Sequence, residues 1–183
     1  MSETLANPID VLDFWWQAGS GRWFARNDDF DRSIRDRFLD TIEAAQRGDL
    51  DTWADTPHGA LALILLLDQF TRNVFRNDRR AFEADARALS LARASVSRGY
   101  DKAFPREVRA FFYLPFEHAE DMEAQQESVD LFRKTGDREF HLYALIHLDV
   151  IRRFGRFPHR NAVLGRDTTP EEQAFLDDGG FSA

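Results

Sequence analysis

Cysteine is absent from this 183-residue chain. That removes disulfide frameworks, thiolate zinc sites and thiol nucleophiles together. Lysine is nearly absent as well: Lys102 and Lys134 stand against 22 arginines. A coding bias explains that imbalance simply, so no arginine is read as a ligand on its own account. Positive charge is in deficit overall, with a net charge of −8 and a pI near 5.1. General affinity for nucleic acid, which needs a basic surface, is therefore not expected. Long hydrophobic runs are also missing. The longest clean one is eight residues, 60–67, far short of the roughly 18 needed to span a bilayer. No Arg or Lys precedes Arg22, so no secretory signal is expected. These absences predict a soluble, cytoplasmic protein with no membrane partner, and nothing in the chain calls for a cofactor.

What is present suits a packed core. Hydrophobic residues make up 43% of the chain and phenylalanine alone contributes 17, enough to expect one domain over residues 1–183. The organising stretch is 60–75, ALALILLLDQFTRNVF. It is apolar at every position from Ala60 to Leu67, which marks a helix buried on all sides. It then turns polar within one turn, at Asp68, Gln69, Arg72 and Arg76.

The remaining segments carry helical spacing and helix punctuation. Asn7-Pro8 opens a first helix reaching to about Ala18, and Trp23 and Phe24 should fold back on it. Asp28 or Asp29 caps a second, with Phe30, Ile34, Phe38 and Ile42 inward and Arg47-Gly48 as the stop. Leu50 to Trp53 suits a short helical turn, and Thr56-Pro57 starts the central helix. A fourth helix covers roughly 81–98, and Pro105 opens a fifth. Pro115 predicts a break or kink at Leu114, with a sixth helix following to about Lys134 and a seventh over about 137–154. Thr169-Pro170-Glu171-Glu172 is a capping box for a short last helix. No useful strand alternation appears. The fold expected is all-α: about seven or eight antiparallel helices packed as hairpins around the buried central one.

Two segments have one-sided charge. Residues 117–130 hold six acids and no Arg or Lys; residues 150–166 hold Arg152, Arg153, Arg156, Arg160 and Arg166 and no acid. The simplest expectation is that one packs on the other. Within FGRFPHRN (154–161), Gly155 stops a helix, Pro158 keeps it from restarting, and Arg156, His159, Arg160 and Asn161 supply donors. Guanidinium pairs suit a carboxylate or phosphate. In YLPFEHAED (113–121), a helix starting at Pro115 would put Glu117 at its favourable N-terminus. Glu117, His118 and Asp121 share a face there, and with His147 they form a conceivable metal set, though no HExxH or paired ExxH motif supports one. His147 otherwise reads as a hydrogen-bonded core residue. Asp68, an acid at the end of a buried helix, requires a cation partner. Arg72 lies one turn away, and the arginines of 152–160 are the tertiary candidates.

The strings LLLDQFTRNVFR (65–76), YLPFEHAED (113–121), RRFGRFPHRNAVLGR (152–166), TPEEQAFL (170–177) and GGFS (179–182) resemble a bacterial family catalogued as domain of unknown function 924. The resemblance runs from Val11 to Phe181. It implies an all-α array related to the tetratricopeptide-like superfamily and supplies no activity. The family's motif positions fall on Asp68, Gln69, Arg72, Arg76, Pro115, Glu117, His118, Asp121, Arg156, Pro158, His159, Arg160 and Asn161.

Two functions of different class follow. In the first, Arg72, Arg76, Arg156 and Arg160 with His159 hold a small anionic ligand, Glu117, His118 and Asp121 complete the site, and Asp68 is a structural ion-pair partner. In the second, the charged cluster is a staple within an adaptor that binds a protein partner, with Trp15, Trp16, Trp23 and Trp53 as candidate anchors. Whether any reaction is catalysed stays open, and the Glu117–His118–Asp121–His147 set leaves a metal-dependent enzyme as a third reading.

Overall fold

A computed structural model describes residues 5–181; Ser182 of the closing GGFS string lies outside them. No strand occurs among the described residues. Helix α1, Pro8–Ala18, has Asn7 as its cap and Pro8 at its first position, with a full capping box to Asp10. The short α2, Ser20–Trp23, turns the chain back. Its Trp23 indole N–H donates to the Trp15 carbonyl at 2.8 Å, and the two rings stack. Helix α3, Asp28–Arg47, is capped by Asn27 rather than by Asp28 or Asp29; those aspartates fill the first turn, where they complement the helix dipole. Gly48 ends it in the left-handed region at φ 91°, a conformation a Cβ would oppose.

The central element runs unbroken through α4, Pro57–Ile64, a π-helical stretch, Leu65–Phe70, and α5, Thr71–Val74. Every residue from Ala60 to Phe70 is buried. Side chains bond carbonyls of the π turn: Thr71 Oγ1 donates to Leu67 O at 3.0 Å, and Arg72 Nη1 to Asp68 O at 2.7 Å. Such π segments concentrate at functional sites. Around it lie α1, α3, α6 (Asp85–Ser97) and α7 (Arg106–Glu117). An aromatic cluster of Phe14, Trp15, Phe30, Phe38, Phe70 and Phe111 fills the space between them.

Helix α6 begins at Asp85, later than the expected 81, because a short 3-10 turn, Arg79–Ala81, precedes it. Pro115 does not break α7, which continues to Glu117. With only two residues left after it, the helix loses one backbone bond near an end that frays anyway. Helix α8, Met122–Thr135, starts at the Asp121 cap, and α9, Arg138–Phe154, at the Asp137 cap. The connections are four and two residues long, so α7, α8 and α9 pack as successive hairpins. After Gly155 (φ 70°) the chain does restart, as a 3-10 turn, Pro158–Arg160, and α10, Asn161–Leu164. Pro158 sits at the first position, where a missing N–H costs nothing. Helix α11, Pro170–Asp177, carries the expected capping box. It packs over a small second core of Val150, Ile151 and Phe157 that also takes in Phe154, Phe175 and Phe181.

Candidate functional site

The π stretch turns Asp68 and Gln69 into the interior, where Asp68 is 1% exposed. The Asp68 carboxylate accepts from His118 Nδ1 at 2.8 Å and from Gln69, and faces Arg72 at 3.2 Å. Burial pushes its pKa up, yet the neighbouring His118 and Arg72 and the hydrogen bonds hold it well below the usual carboxylate range. It is the paired acid that its position required. Arg72 reaches onward to Asp85 Oδ2 at 3.0 Å. Arg160 comes to the same oxygen, at 3.3 Å through Nη1.

Arg160 is 6% exposed and lies against the rings of Phe157 and Phe82, at 4.5 and 4.6 Å. Burial, then the Arg72 charge, lowers its pKa to about 10. Among the described residues its Nε has no partner, nor do Asp85 Oδ1, Glu117 Oε2 or His159 Nδ1. Buried polar atoms are nearly always bonded, so four such atoms in one neighbourhood mark a site with unmet hydrogen-bonding capacity.

Glu117 is the C-terminal residue of α7, not an N-terminal residue of the next helix. The dipole there opposes its charge; burial and nearby Asp68 push its pKa up to about 8, so it is protonated at neutral pH. His147 Nδ1 lies 3.4 Å from Glu117 Oε1 and donates to Tyr143 O at 2.8 Å, leaving Nε2 as the acceptor. Burial, then His118, lowers the His147 pKa to about 3. His159 is likewise lowered to about 4 by burial and Arg160, and His118 is lowered chiefly by burial. The interior thus holds a protonated carboxyl beside the neutral imidazoles of His147 and His159.

Of the residues picked from sequence, Asp68, Arg72, Glu117, His118, His159 and Arg160 belong to this neighbourhood, joined by His147. The others are engaged elsewhere. Arg76 pairs with Asp31 of α3. Asp121 caps α8, accepting from Ala124 N at 2.8 Å. Arg156 forms a two-pronged pair with Glu172 of α11, at 2.6 and 2.8 Å, and donates to Asp167 O; that pair holds the Glu172 pKa down at about 2. The basic run does not pack on the acidic run as a whole. Only Arg166 makes the expected cross-link, to Glu120 at 2.6 and 2.9 Å. The set weighed for a metal also disperses: Glu117 meets His147, His118 turns to Asp68, and Asp121 is a cap. Trp15 is fully buried and is a core residue rather than an anchor, while Trp16 and Trp23 are partly buried and pack on Phe111. Asp85, Glu120, Glu172 and Phe181 were not picked out from the sequence as site residues. Nothing local in the sequence pairs Asp85 with arginines 13 residues before and 75 after it.

Comparison with solved structures finds a protein of unknown function from Agrobacterium tumefaciens, 45% identical, with a TM-score of 0.91 over 94% of this chain and 97% of that one. No curated protein matches. The model of a family of bacterial proteins of unknown function, DUF924, matches residues 11–180. With that match over nearly its whole length, the chain belongs to the DUF924 family.

Proposed function

We propose that the protein binds a small anionic ligand, a carboxylate or phosphate, at Arg160. One observation carries this reading. Arg160 is a nearly buried cation whose one carboxylate contact is shared with Arg72, and its Nε is unbonded. Arg72, by contrast, has Asp68 as well. An anion on Arg160 would supply the missing bonds in a setting where charge-assisted hydrogen bonds are strong. His159, adjacent in the same 3-10 turn, offers a further polar group.

Thermal melts of the purified protein against acetate and inorganic phosphate test it. A ligand at 100 times its dissociation constant stabilises by about 2.7 kcal/mol, a shift of roughly 5–10 °C for a domain of this size. The shift should vanish in Arg160→Gln and persist in Arg156→Ala, even if the latter melts lower. No shift with either anion overturns the reading.

A second reading, a tetratricopeptide-like interaction module, is favoured by the outer face of α9. Leu142, Tyr143 and Leu145 are exposed there, beside Phe24 of the α2–α3 connection, which packs on Phe140 of the same helix. Exposed apolar clusters of this kind mark contact surfaces. Leu142→Glu with Leu145→Glu would abolish partner capture from a lysate while leaving the melt unchanged. Capture by the double variant equal to that by wild type would overturn this reading.

A further inference from the structure

We propose that Phe181 fills the apolar half of the Arg160 site, and that the ligand is a small carboxylate bearing one phenyl-sized group that takes its place. This rests on the anion-binding reading above. The Phe181 ring lies 4.2 Å from the His147 ring, 5.6 Å from His159 and 6.4 Å from Phe157. Phe157 in turn carries the Arg160 guanidinium at 4.5 Å. An aromatic subsite and an under-bonded cation are thus separated by a single ring. A ligand spanning them needs an aromatic group at one end and a planar anion at the other.

The way Phe181 arrives supports its being exchangeable. It belongs to no helix and follows Gly179 and Gly180. Gly179 takes φ 75°, and Gly180 lies so close to Phe175 that a Cβ would come within 2.4 Å of its carbonyl oxygen. Gly180 N donates to that oxygen at 2.8 Å. The glycine pair aims the ring inward, yet Phe181 remains only partly buried, unlike Phe157 at 0% exposed. The walls it touches suit a second aromatic ring. Both imidazoles are neutral, and offset or tilted aromatic contacts of this kind are favourable.

Charge also fits. Asp68 and Asp85 balance Arg72 and Arg160, while Glu117 is kept protonated by its burial. The site therefore presents no excess negative charge to an incoming carboxylate.

Titration calorimetry of the full chain with 3-phenylpropionate, acetate and inorganic phosphate, on wild type and Phe181→Ala, decides it. Burial of a phenyl group is worth at least tenfold in affinity, and in wild type the release of the partly buried Phe181 ring offsets much of it, so 3-phenylpropionate should bind a few-fold tighter than acetate. The ratio of the two affinities should rise a further fivefold or more in Phe181→Ala, where the competing ring is gone. If acetate or phosphate binds but 3-phenylpropionate gains nothing, or the ratio is unchanged in the variant, this proposal falls and the anion site stands. If no probe binds, both fall. Should Phe181→Ala fail to fold, amide exchange at 179–181 of the wild type reads the same event. Faster exchange with 3-phenylpropionate supports displacement, and unchanged exchange overturns it.

Discussion

Arg72 and Arg160 share a single oxygen, Asp85 Oδ2, at 3.0 and 3.3 Å. One carboxylate oxygen thus serves two guanidinium groups, and Arg160 has the poorer share. If an external anion competes with Asp85 for Arg160, neutralising Asp85 should improve its binding. Asp85→Asn is expected to lower the melting temperature yet raise the affinity for inorganic phosphate several-fold. Weaker phosphate binding in this variant would mean that the anion does not seat on Arg160.

Asp68→Ala removes the carboxylate that Arg72, His118 and Gln69 all address. Removing one partner of a buried pair leaves the other charge uncompensated, at a cost of about 3–5 kcal/mol. The melting temperature should fall by roughly 10 °C or more. A melt unchanged within error would show that Arg72 is fully served by Asp85 alone.

Glu117 gives a pH signature. Its folded pKa, raised to about 8, lies above the ordinary 4.5, so folding takes up a proton between those values. Its contribution to stability is complete below about pH 4.5 and is lost as pH rises through 8. Glu117→Gln mimics the protonated acid at every pH. The variant should therefore gain on wild type from about pH 5 to 8 in denaturant midpoints and level off above that. His118, His147 and His159 are displaced the other way, but they are common to both proteins and largely cancel in the difference. A constant difference across that range would show that Glu117 does not change protonation on folding.

Gly59 in the first turn of α4 approaches the preceding 3-10 turn closely. A Cβ there would lie 2.1 Å from the Trp53 carbonyl oxygen, which is backbone and cannot swing aside. Gly59→Ala is expected to cost about 1–3 kcal/mol, as overpacking does, despite alanine's better helix propensity. A rise in melting temperature would show that the turn at Asp51–Asp55 yields freely.

Helix starts and stops were legible because their causes are local. Asn7-Pro8, Arg47-Gly48 and Thr169-Pro170-Glu171-Glu172 each satisfy or terminate backbone hydrogen bonds within a few residues. The eight apolar residues of 60–67 could only be buried, and they are. Pro115 misled because its cost depends on how much helix follows it, and here only two residues do. That shift carried Glu117 from a helix start, where its charge would be welcome, to a helix end, where it is protonated.

Sequence by itself determined the all-α class, the buried central helix and the need of Asp68 for a cation. Tertiary structure alone decided which charges meet. Arg160 finds Asp85 across 75 residues, Arg166 finds Glu120 across 46, and Arg156 goes to Glu172 instead of the acidic run. An arginine carries no local mark of its partner, since Coulomb attraction selects by distance and burial after the helices have packed. The π turn at Leu65–Phe70 is of the same kind: its hydrogen bonds are local, but it is helix packing that sends Asp68 inward to His118.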